Sequence, residues 1–488
     1  MLKALLKLFR GKQNMDTSEL KYIELKISEW KSSPERKDQF LGDAYYQGRH
    51  EILERKRMTI GKGGSLTEVG NLPNNQIVDN QYAKMVDQKK NYLLGQPIVF
   101  ESDNDSYNES LKAVFDKAFM RMIKNVGLDS INGGLGWIHP YYNELGEFKF
   151  KAFPAYEILP FWANKEHTEL KAAARVYLEE NEKNDIVEKC DLYTPTGIYC
   201  FDLKNGKLVT NGNRLHQDYL TLESDDGELG FNWERIPLIP FKYNSNEQPL
   251  ITRCKSIQDA INKITSDFVN GMEENAGGNS IIVLKNYGGE KLDEFRDKLS
   301  KFRAVKIDST PERPGDIDTL EISVDSTNYD VILKLLKRQL IENCRGFDAK
   351  DDKLGGNPNQ MNIKTALADL DSDANDFETE YQASLDSLLW FVNQHLANTG
   401  AGNFEDEDVE IIFNRDNIVN ETEIMNMLIS AGVQIPNEVL LRQVPFLDDI
   451  DEALKLLEKE DEKQQDIYGG ALPANGGKND NLQDNEQD

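Results

Sequence analysis

A single long amphipathic helix constrains this chain more than any other feature of its sequence. Between Thr365 and about Ala397, apolar side chains recur roughly every 3.6 residues for about nine turns. The stripe consists of Leu367, Leu370, Ala374, Phe377, Tyr381, Leu385, Leu388, Val392 and Leu396. Because the spacing is nearer 3.6 than a sustained 3.5, it argues against a coiled coil. We therefore predict one continuous helix over this segment.

Four carboxylates on the same segment match part of a calcium-binding pattern. Asp369, Asp371, Asp373 and Glu380 fall at positions 1, 3, 5 and 12 of an EF-hand loop. Position 6 is Ala374, where the sharp turn of that loop requires glycine. A looped calcium site is also incompatible with an unbroken helix. We therefore interpret these carboxylates as a solvated or subunit-facing helix surface.

Length and charge limit the classes of protein that the chain can belong to. At 488 residues it is too long for one compact core, and two to four domains are expected. Its formal charge of −28 disfavours broad binding to nucleic acid backbones, because phosphate binding depends on Lys and Arg. A channel through which DNA slides is compatible with this charge, since a repelling wall prevents sticking. Solubility alone is an equally acceptable interpretation.

The sequence contains no recognisable catalytic, cofactor or metal motif. The nucleotide-binding, zinc-protease and nucleophile-elbow patterns are absent, and Gly134-x-Gly136 lacks the third glycine of a dinucleotide site. The four cysteines and five histidines are scattered, so neither disulfides nor a metal site is predicted. We expect no enzymatic activity and no cofactor. The alternative is an enzyme or ligand-binding protein that uses an α+β block at 97–243.

No apolar run is long enough to span a bilayer, and no membrane partner is predicted. The N-terminal stretch 1–12 is short, basic and amphipathic, and it lacks the long apolar core and cleavage site of a signal peptide. A frayed or partner-docked helix is the preferred interpretation, and contact with a membrane surface is the alternative.

The first half of the chain alternates between helical and extended patterns. Helices are expected over 16–60, over 74–97 after an Asn-rich turn that can cap the start, and over 108–126. Residues 170–243 have the pattern of an antiparallel β region, with Asn205-Gly206 as a hairpin turn.

The second half contains two long helices separated by a small insert. The helices are expected at about 251–275 and 325–345. The insert has a β-α-β pattern, with strands Ile281–Leu284 and Ala304–Ile307 around a helix that carries Leu292, Phe295, Leu299 and Phe302. It buries too little to be stable alone, so it would gain from packing against copies of itself. The polar, Gly/Pro-broken stretch 348–364 is predicted to be an exposed loop.

Several signatures resemble one protein family. They are Tyr45-Tyr46-x-Gly48-x-His50-x-Ile52, Asn74-Asn75, Val86-Asp87-x-Lys89, Tyr92-Leu93-Leu94-Gly95-x-Pro97, Gly134-x-Gly136, Phe153-Pro154-x-x-Glu157-Ile158-x-Pro160 and Ile236-Pro237-x-Ile239-Pro240-Phe241. Together with the order helix, insert, helix, loop, long helix, they resemble the portal proteins of tailed bacteriophages, of the type found in siphophages of Gram-positive hosts. The resemblance covers roughly residues 20–465.

The resemblance implies a multidomain α+β fold with a wing, a two-helix stem, a small β-α-β clip, a tunnel loop with a long helix, and a helical crown. The implied segments are an N-terminal arm (1–15), the wing (16–244), stem helix 1 (245–276), the clip (277–312), stem helix 2 (313–347), the tunnel loop (348–364), the long wing helix (365–400), the crown (401–465, with a strand at Ile411–Phe413) and a disordered acidic tail (466–488).

The resemblance also implies a function. Twelve copies would form a ring at the capsid vertex, in the host cytoplasm during assembly and then in the virion. Double-stranded DNA would pass through the ring during packaging and ejection. The implied partners are the terminase large subunit, the head-completion adaptor, and the scaffold and major capsid proteins.

Two sets of residues are the candidate functional sites. The candidates for the DNA channel are Lys334, Lys337 and Arg338 on the second stem helix, and Lys350, Lys353, Asn357, Asn359 and Gln360 in the polar loop. An ordinary solvated face is the alternative interpretation of the basic residues. The candidates for docking at the clip are Leu292, Phe295, Leu299 and Phe302.

Overall fold

The structure is a computed structural model. It describes residues 17–60, 65–70, 72–180, 184–210, 216–224, 227–276, 281–285, 291, 294–295, 310–312, 314–320, 326–348 and 360–415. These residues form one main compact unit, made of 17–348 and 367–415, and a second unit of which 360–366 are described.

Helices form the framework of the molecule. In chain order they are α1 (Thr17–Lys31), α2 (Pro34–Tyr46), α3 (Gln81–Leu94), α4 (Asp105–Val114), α5 (Lys117–Gly133), α6 (Ile251–Ala276), α7 (Ser326–Asn343) and α8 (Gln360–Thr399), with short 3₁₀ turns at Glu51–Glu54 and Ala155–Glu157. The helix predicted over 74–97 begins later than expected, at Gln81, and residues 74–80 are not helical. Its cap is Asn80, whose side chain accepts the backbone N–H of Ala83 at 2.9 Å.

The predictions for the three longest helices are confirmed within a few residues. The nine-member stripe on α8 is buried throughout. However, α8 begins at Gln360, so the last five residues of the predicted loop 348–364 are helical. Residues 349–359 lie outside the described part of the chain.

The prediction of one helix over 108–126 is wrong. Two helices, α4 and α5, meet at Phe115-Asp116. Asp116 is extended, and its carboxylate accepts the backbone N–H groups of Ala118 and Phe119, both at 2.9 Å. This cap starts a new helix inside a continuous apolar pattern.

The strands are β1 (Met58–Ile60), β2 (Leu66–Glu68), β3 (Ile98–Glu101), β4 (Leu135–Tyr142), β5 (Phe148–Pro154), β6 (Ile158–Trp162), β7 (Leu170–Glu180), β8 (Ile186–Thr194), β9 (Gly197–Lys204), β10 (Lys207–Thr210), β11 (His216–Gln217), β12 (Leu220–Ser224), β13 (Gly227–Phe231), β14 (Ile239–Lys242), β15 (Ile281–Lys285), β16 (Asp316–Leu320) and β17 (Glu410–Phe413).

The main sheet is antiparallel, as predicted for 170–243, with order β10-β9-β8-β7-β6 and β11 paired to β9. Asn205 and Gly206 both have positive φ, 51° and 74°, which suits the two-residue turn between β9 and β10. One face of this sheet packs on Ile23 and Ile27 of α1.

A three-stranded sheet has the order β14-β4-β5. Together with α5 and the buried stripe of α8 it forms part of the largest core. Gly134 ends α5 with φ 82°, and a Cβ at this position would lie 2.0 Å from the carbonyl oxygen of Glu247. The first glycine of Gly134-x-Gly136 is therefore required by the close approach of two backbone segments.

The insert between α6 and α7 differs from the prediction. Strand β15 is found where expected, but it pairs antiparallel with β16, which lies beyond Pro311 and Pro314 in a stretch expected to be a linker. The proposed strand Ala304–Ile307 lies outside the described residues. The paired strands therefore extend past residue 312, where the clip was predicted to end.

Candidate functional site

The helices α6 and α7, predicted as the stem, lie side by side. Near the insert, the rings of Phe268 and Tyr329 are 4.8 Å apart. At the opposite end, Cys254 and Cys344 are fully buried within the largest core. The helix pair is therefore rooted in the core at the end that is distant from the insert.

A charge cluster with a buried centre lies at this end of the helix pair and involves five elements. We call it the Asp373 cluster: Asp373 of α8, Lys89 of α3, Tyr243 just after β14, Arg253 in the first turns of α6, and Arg345 just after α7. Lys89 Nζ is 2.7 Å and Arg253 Nη1 is 3.1 Å from the Asp373 carboxylate. The Tyr243 hydroxyl donates to it at 2.5 Å, and Arg345 Nη1 is 3.8 Å away.

The opposite charges of the Asp373 cluster offset the cost of burying them. Burial alone would raise the pKa of the Asp373 carboxyl, but Lys89, Tyr243 and Arg253 together outweigh burial and lower it, with Lys89 contributing most. Burial lowers the pKa of the Lys89 amine, and Asp373 opposes that shift. Asp373 therefore stays ionised, and it holds the starts and ends of several elements in one position.

The interpretation of the α8 carboxylates as solvated or subunit-facing was wrong for Asp373. Asp369 is exposed, whereas Asp373 is buried and Asp371 accepts a hydrogen bond from Tyr92. The helix runs unbroken through all of them, as predicted. One signal was available in the sequence, because Lys89 sits on the apolar face of α3 and a buried lysine needs a counter-charge.

A second arrangement holds α6 along its length. Residues 74–82, which we call the strap, run beside a row of buried polar side chains at every fourth position of α6. These side chains accept backbone N–H groups of the strap at 2.7–3.0 Å: Asn270 from Asn75, Ser266 from Ile77, Asn262 from Asp79, and Gln258 from Tyr82. The four N–H groups therefore have partners although the strap belongs to no sheet.

The segment upstream of the strap contacts the same helix. Arg55 pairs with Asp267 at 2.7 Å and Arg57 with Glu274 at 2.6 Å. The Tyr45 hydroxyl donates to Asp259 at 2.6 Å. The signatures at 45–57 and 74–75 thus have a physical role, which is to position α6. The signal for this contact in the sequence is the polar row spaced by four residues on α6, which the sequence predictions did not include.

His50 lies between the upstream segment and α6. Asn262 already accepts the Asp79 N–H through its amide oxygen, so its amide nitrogen donates to His50 Nδ1 at 2.7 Å. The other ring nitrogen, Nε2, then donates to the carbonyl of Tyr45 at 3.0 Å. This arrangement requires neutral imidazole, and burial lowers the pKa of His50 accordingly.

The predicted basic residues of α7 all have acidic partners. Lys334 and Arg338 are well exposed, and each pairs with a carboxylate four residues away on the same helix, Asp330 at 2.7 Å and Glu342 at 3.6 Å. Lys337 is 41% exposed and pairs with Asp79 of the strap at 2.7 Å. The three basic residues share one helix, but each positive charge is paired with a nearby carboxylate.

Most other predicted site residues lie outside the described part of the chain. They are Lys350, Lys353, Asn357 and Asn359 of the polar loop, and Leu292, Leu299 and Phe302 of the clip; the backbone of Gln360 begins α8. Phe295 is described and is buried, as its place on an apolar face predicts.

The alternative functions would need a metal-binding group or a membrane-spanning helix. Among the described residues, no group of three or more His, Cys, Asp and Glu side chains is arranged to hold a metal ion. No helix in the described ranges is long and apolar enough to cross a membrane. Several histidines have structural partners; for example, His139 is buried against the carbonyl of Pro237.

Comparison with known proteins gives a consistent result. A protein of Bacillus phage SPP1 named "Portal protein" is 28% identical over 448 residues, covering 90% of this chain and 86% of that protein. A "Portal protein" of Clostridium phage phiCD119 is 26% identical over 426 residues, covering 85% of this chain and 90% of that protein. The family model described as "Phage portal protein, SPP1 Gp6-like" matches residues 31–466. The chain therefore belongs to the SPP1 Gp6-like family of phage portal proteins.

Proposed function

We propose that this chain assembles into a twelve-membered ring at the capsid vertex and forms the channel through which double-stranded DNA enters and leaves the capsid. The observation that carries the proposal is the family match over residues 31–466, which includes the helix pair, the insert and the long helix. The rooted α6–α7 pair supports it, because a channel wall must keep its shape while DNA moves past it.

The segments take their roles from this proposal. The α+β block 16–244 is the wing, α6 and α7 are the stem, and the residues between them, including β15 and β16, are the clip. Residues 348–359 are the tunnel loop, α8 is the long wing helix, and 401–465 form the crown. The arm at 1–15 and the tail at 466–488 are assigned no role.

The clip is proposed as the docking site for the terminase large subunit during packaging and for the head-completion adaptor afterwards. The buried position of Phe295 supports a structural role for this side chain within the insert. ATP hydrolysis belongs to the terminase in this scheme, so the ring needs no catalytic residue of its own. Scaffold and major capsid proteins surround the ring during assembly.

We assign the DNA-facing positions to the tunnel loop first, with Lys350 and Lys353 as the charged contacts and Asn357 and Asn359 as polar ones, followed by Gln360 at the start of α8. Lys334, Lys337 and Arg338 are secondary candidates, because each is already paired with a carboxylate. Such pairs lower the local positive potential, which suits a surface that DNA must pass without sticking.

The first test is the mass and shape of the purified protein. Twelve copies of a 55.6 kDa chain give about 670 kDa. Light scattering should give this mass, and negative-stain electron microscopy should show rings with a central hole. A compact dimer or tetramer without a hole would contradict the proposal.

The second test separates the channel role from assembly. Replacing Lys350 and Lys353 together by Glu should leave ring formation intact and reduce the DNA packaged per particle several-fold. The matched control is Lys207→Glu, an exposed lysine on β10 of the wing sheet, which should leave both unchanged. Normal packaging by the loop variant would remove the tunnel loop from the proposal.

A further inference from the structure

His50 joins the strap to α6 through a single amide. The imidazole is buried, with 2% of its surface exposed, and it stacks on the Tyr45 ring at 4.3 Å. Its Nδ1 accepts from the Asn262 amide nitrogen at 2.7 Å, and the Asn262 amide oxygen accepts the backbone N–H of Asp79 at 3.0 Å. Asn262 can therefore hold the strap and bind the imidazole at once only while Nδ1 carries no proton.

Backbone groups of the strap fix the orientation of the Asn262 amide. The N–H of Asp79 can only donate, so the amide oxygen must face it. The N–H of Tyr82 fixes Gln258 in the same way, at 2.9 Å, and this turns the Gln258 amide nitrogen toward the Asn262 oxygen at 3.0 Å. Two donors therefore converge on the Asn262 oxygen, and the Asn262 amide nitrogen is left facing His50.

Protonation of His50 is incompatible with this arrangement. A protonated imidazole carries a hydrogen on both ring nitrogens and has no acceptor, so rotating the ring gives no relief. Its Nδ1–H would face the amide nitrogen of Asn262, donor against donor. Turning the Asn262 amide would satisfy His50, but it would place the amide nitrogen against the N–H of Asp79. Either the imidazolium or the strap then lacks a partner in a buried position, which is costly.

The charges around His50 do not remove this conflict. Asp259 of α6 attracts a proton to the ring, but its two carboxylate oxygens accept from the Tyr45 hydroxyl at 2.6 Å and from Lys255 at 2.7 Å. Burial outweighs that attraction and the hydrogen bonds of the ring, and it lowers the pKa of His50. The charged groups on the elements around the ring are each paired with an opposite charge: Arg49 and Glu51 beside it in sequence, Lys255 and Asp259 on α6, Asp79 in the strap and Lys337 on α7.

We propose that the strap and His50 form a proton-sensitive clasp on α6, in which protonation of the imidazole releases the strap. The release begins at Asp79, whose carboxylate also pairs with Lys337 of α7 at 2.7 Å, so acid loosens the hold of the strap on both helices. Every contact involved lies within one chain. The clasp is therefore independent of the proposed ring and goes beyond the proposed function.

The direction of the pH dependence follows from the lowered pKa. Since the folded-state pKa of His50 lies below its ordinary value of 6.5, the clasp holds fully above pH 6.5. It weakens as pH falls below that value, because the released state binds the proton more readily than the closed state does. The equilibrium constant for release rises by at most about tenfold per pH unit, and by at most about 30-fold between pH 7.5 and pH 5.0.

Hydrogen–deuterium exchange of the full-length protein tests the clasp. Exchange of peptides that cover 74–82 is measured at pH 7.5 and pH 5.0 for the unmodified chain and for His50→Asn. The asparagine keeps an acceptor for Asn262 but has no group that binds a proton in this range. The Tyr45 carbonyl, which loses the imidazole N–H, retains the N–H of Gly48 at 3.0 Å and the Asn80 amide at 2.8 Å.

The measured quantity is the exchange rate of the unmodified chain divided by that of His50→Asn at the same pH, so the chemical pH dependence of exchange cancels. This ratio should rise several-fold from pH 7.5 to pH 5.0. A second variant, Asn262→Asp, should show no such rise, because its carboxylate accepts both from protonated Nδ1 and from the N–H of Asp79. Its direct comparison with the unmodified chain decides the question even if His50→Asn does not fold. Light scattering at both pH values keeps the comparison within one assembly state.

A matched control and three opposing results complete the test. His216→Asn removes a histidine that contacts the Thr196 carbonyl in the main sheet, and it should behave like the unmodified chain. An unchanged ratio would overturn the proposal. A rise of the same size in Asn262→Asp would also overturn it, because the proton would then belong to another group. An equal rise in peptides that cover β8 would show that acid loosens the whole unit, and it would reject a specific clasp.

Discussion

Asp373 shows how one residue can hold several elements in place. Its carboxylate is shared by groups from α3, α6 and the residues that follow β14 and α7. Removing two charges from water is costly, and the cost is offset only when the remaining hydrogen-bonding positions are filled. Here two cations and a tyrosine hydroxyl fill them, so loss of the carboxylate would leave Lys89 charged and buried.

We predict that Asp373→Asn lowers the free energy of unfolding by about 3–5 kcal/mol at pH 7, the usual effect of breaking a buried pair. The folded-state pKa of Asp373 lies below its ordinary value of 3.8, so the stability it provides is present above that pH and is lost only as pH falls through the folded-state pKa. Urea unfolding should therefore give the same difference at pH 7 and pH 5.

The matched control is Asp369→Asn, one turn earlier on α8 and exposed, which should change stability by less than about 0.5 kcal/mol. If the effect of Asp373→Asn already declined between pH 7 and pH 5, burial would outweigh the cations, and the pKa of Asp373 would be raised rather than lowered.

At the scale of elements, the strap can follow α6 because the repeat distance along the helix nearly equals the repeat distance along the extended chain. Four residues of an α-helix advance about 6.0 Å, and two residues of an extended chain advance about 6.6 Å. Side chains at every fourth position of α6 can therefore meet alternate N–H groups of the strap, as Asn270, Ser266 and Asn262 do. The small mismatch explains why the row is short.

We predict that Asn262→Ala destabilises the protein by about 2–4 kcal/mol, because it leaves the N–H of Asp79 and Nδ1 of His50 buried without partners. Hydrogen–deuterium exchange measured by mass spectrometry should accelerate in peptides that cover 74–82. The control Lys263→Ala changes an exposed neighbour on α6 and should have no such effect. Unchanged protection of the strap in Asn262→Ala would show that the row does not hold it.

Elements with a strong periodic pattern could be predicted from the sequence. The prediction failed where a single polar side chain determines where an element begins or what it contacts. The stripe on α8 and the turn at Asn205-Gly206 could be predicted because pattern and local geometry agree. The break at Asp116 and the pairing of β15 with β16 could not, since a cap and a strand partner depend on contacts that periodicity does not contain. The Asp373 cluster joins residues up to 284 positions apart.

For the whole molecule, charge and assembly act against each other. Each copy carries −28, and assembly into the proposed ring would concentrate that charge around the proposed channel. The same charge would discourage DNA from sticking to the wall of that channel. In the proposed ring, the contacts between copies must therefore bury enough apolar surface to overcome this repulsion.

This balance predicts that salt promotes assembly. Raising ionic strength from 50 to 500 mM shortens the screening length from about 14 Å to about 4 Å, which weakens repulsion between copies but leaves apolar contacts intact. Sedimentation velocity at fixed protein concentration should show a larger ring fraction at high salt. Chloride and acetate salts should act alike, because screening depends on ionic strength. If salt instead dissociated the rings, ion pairs between copies would be the main attraction, and apolar burial would be a minor one.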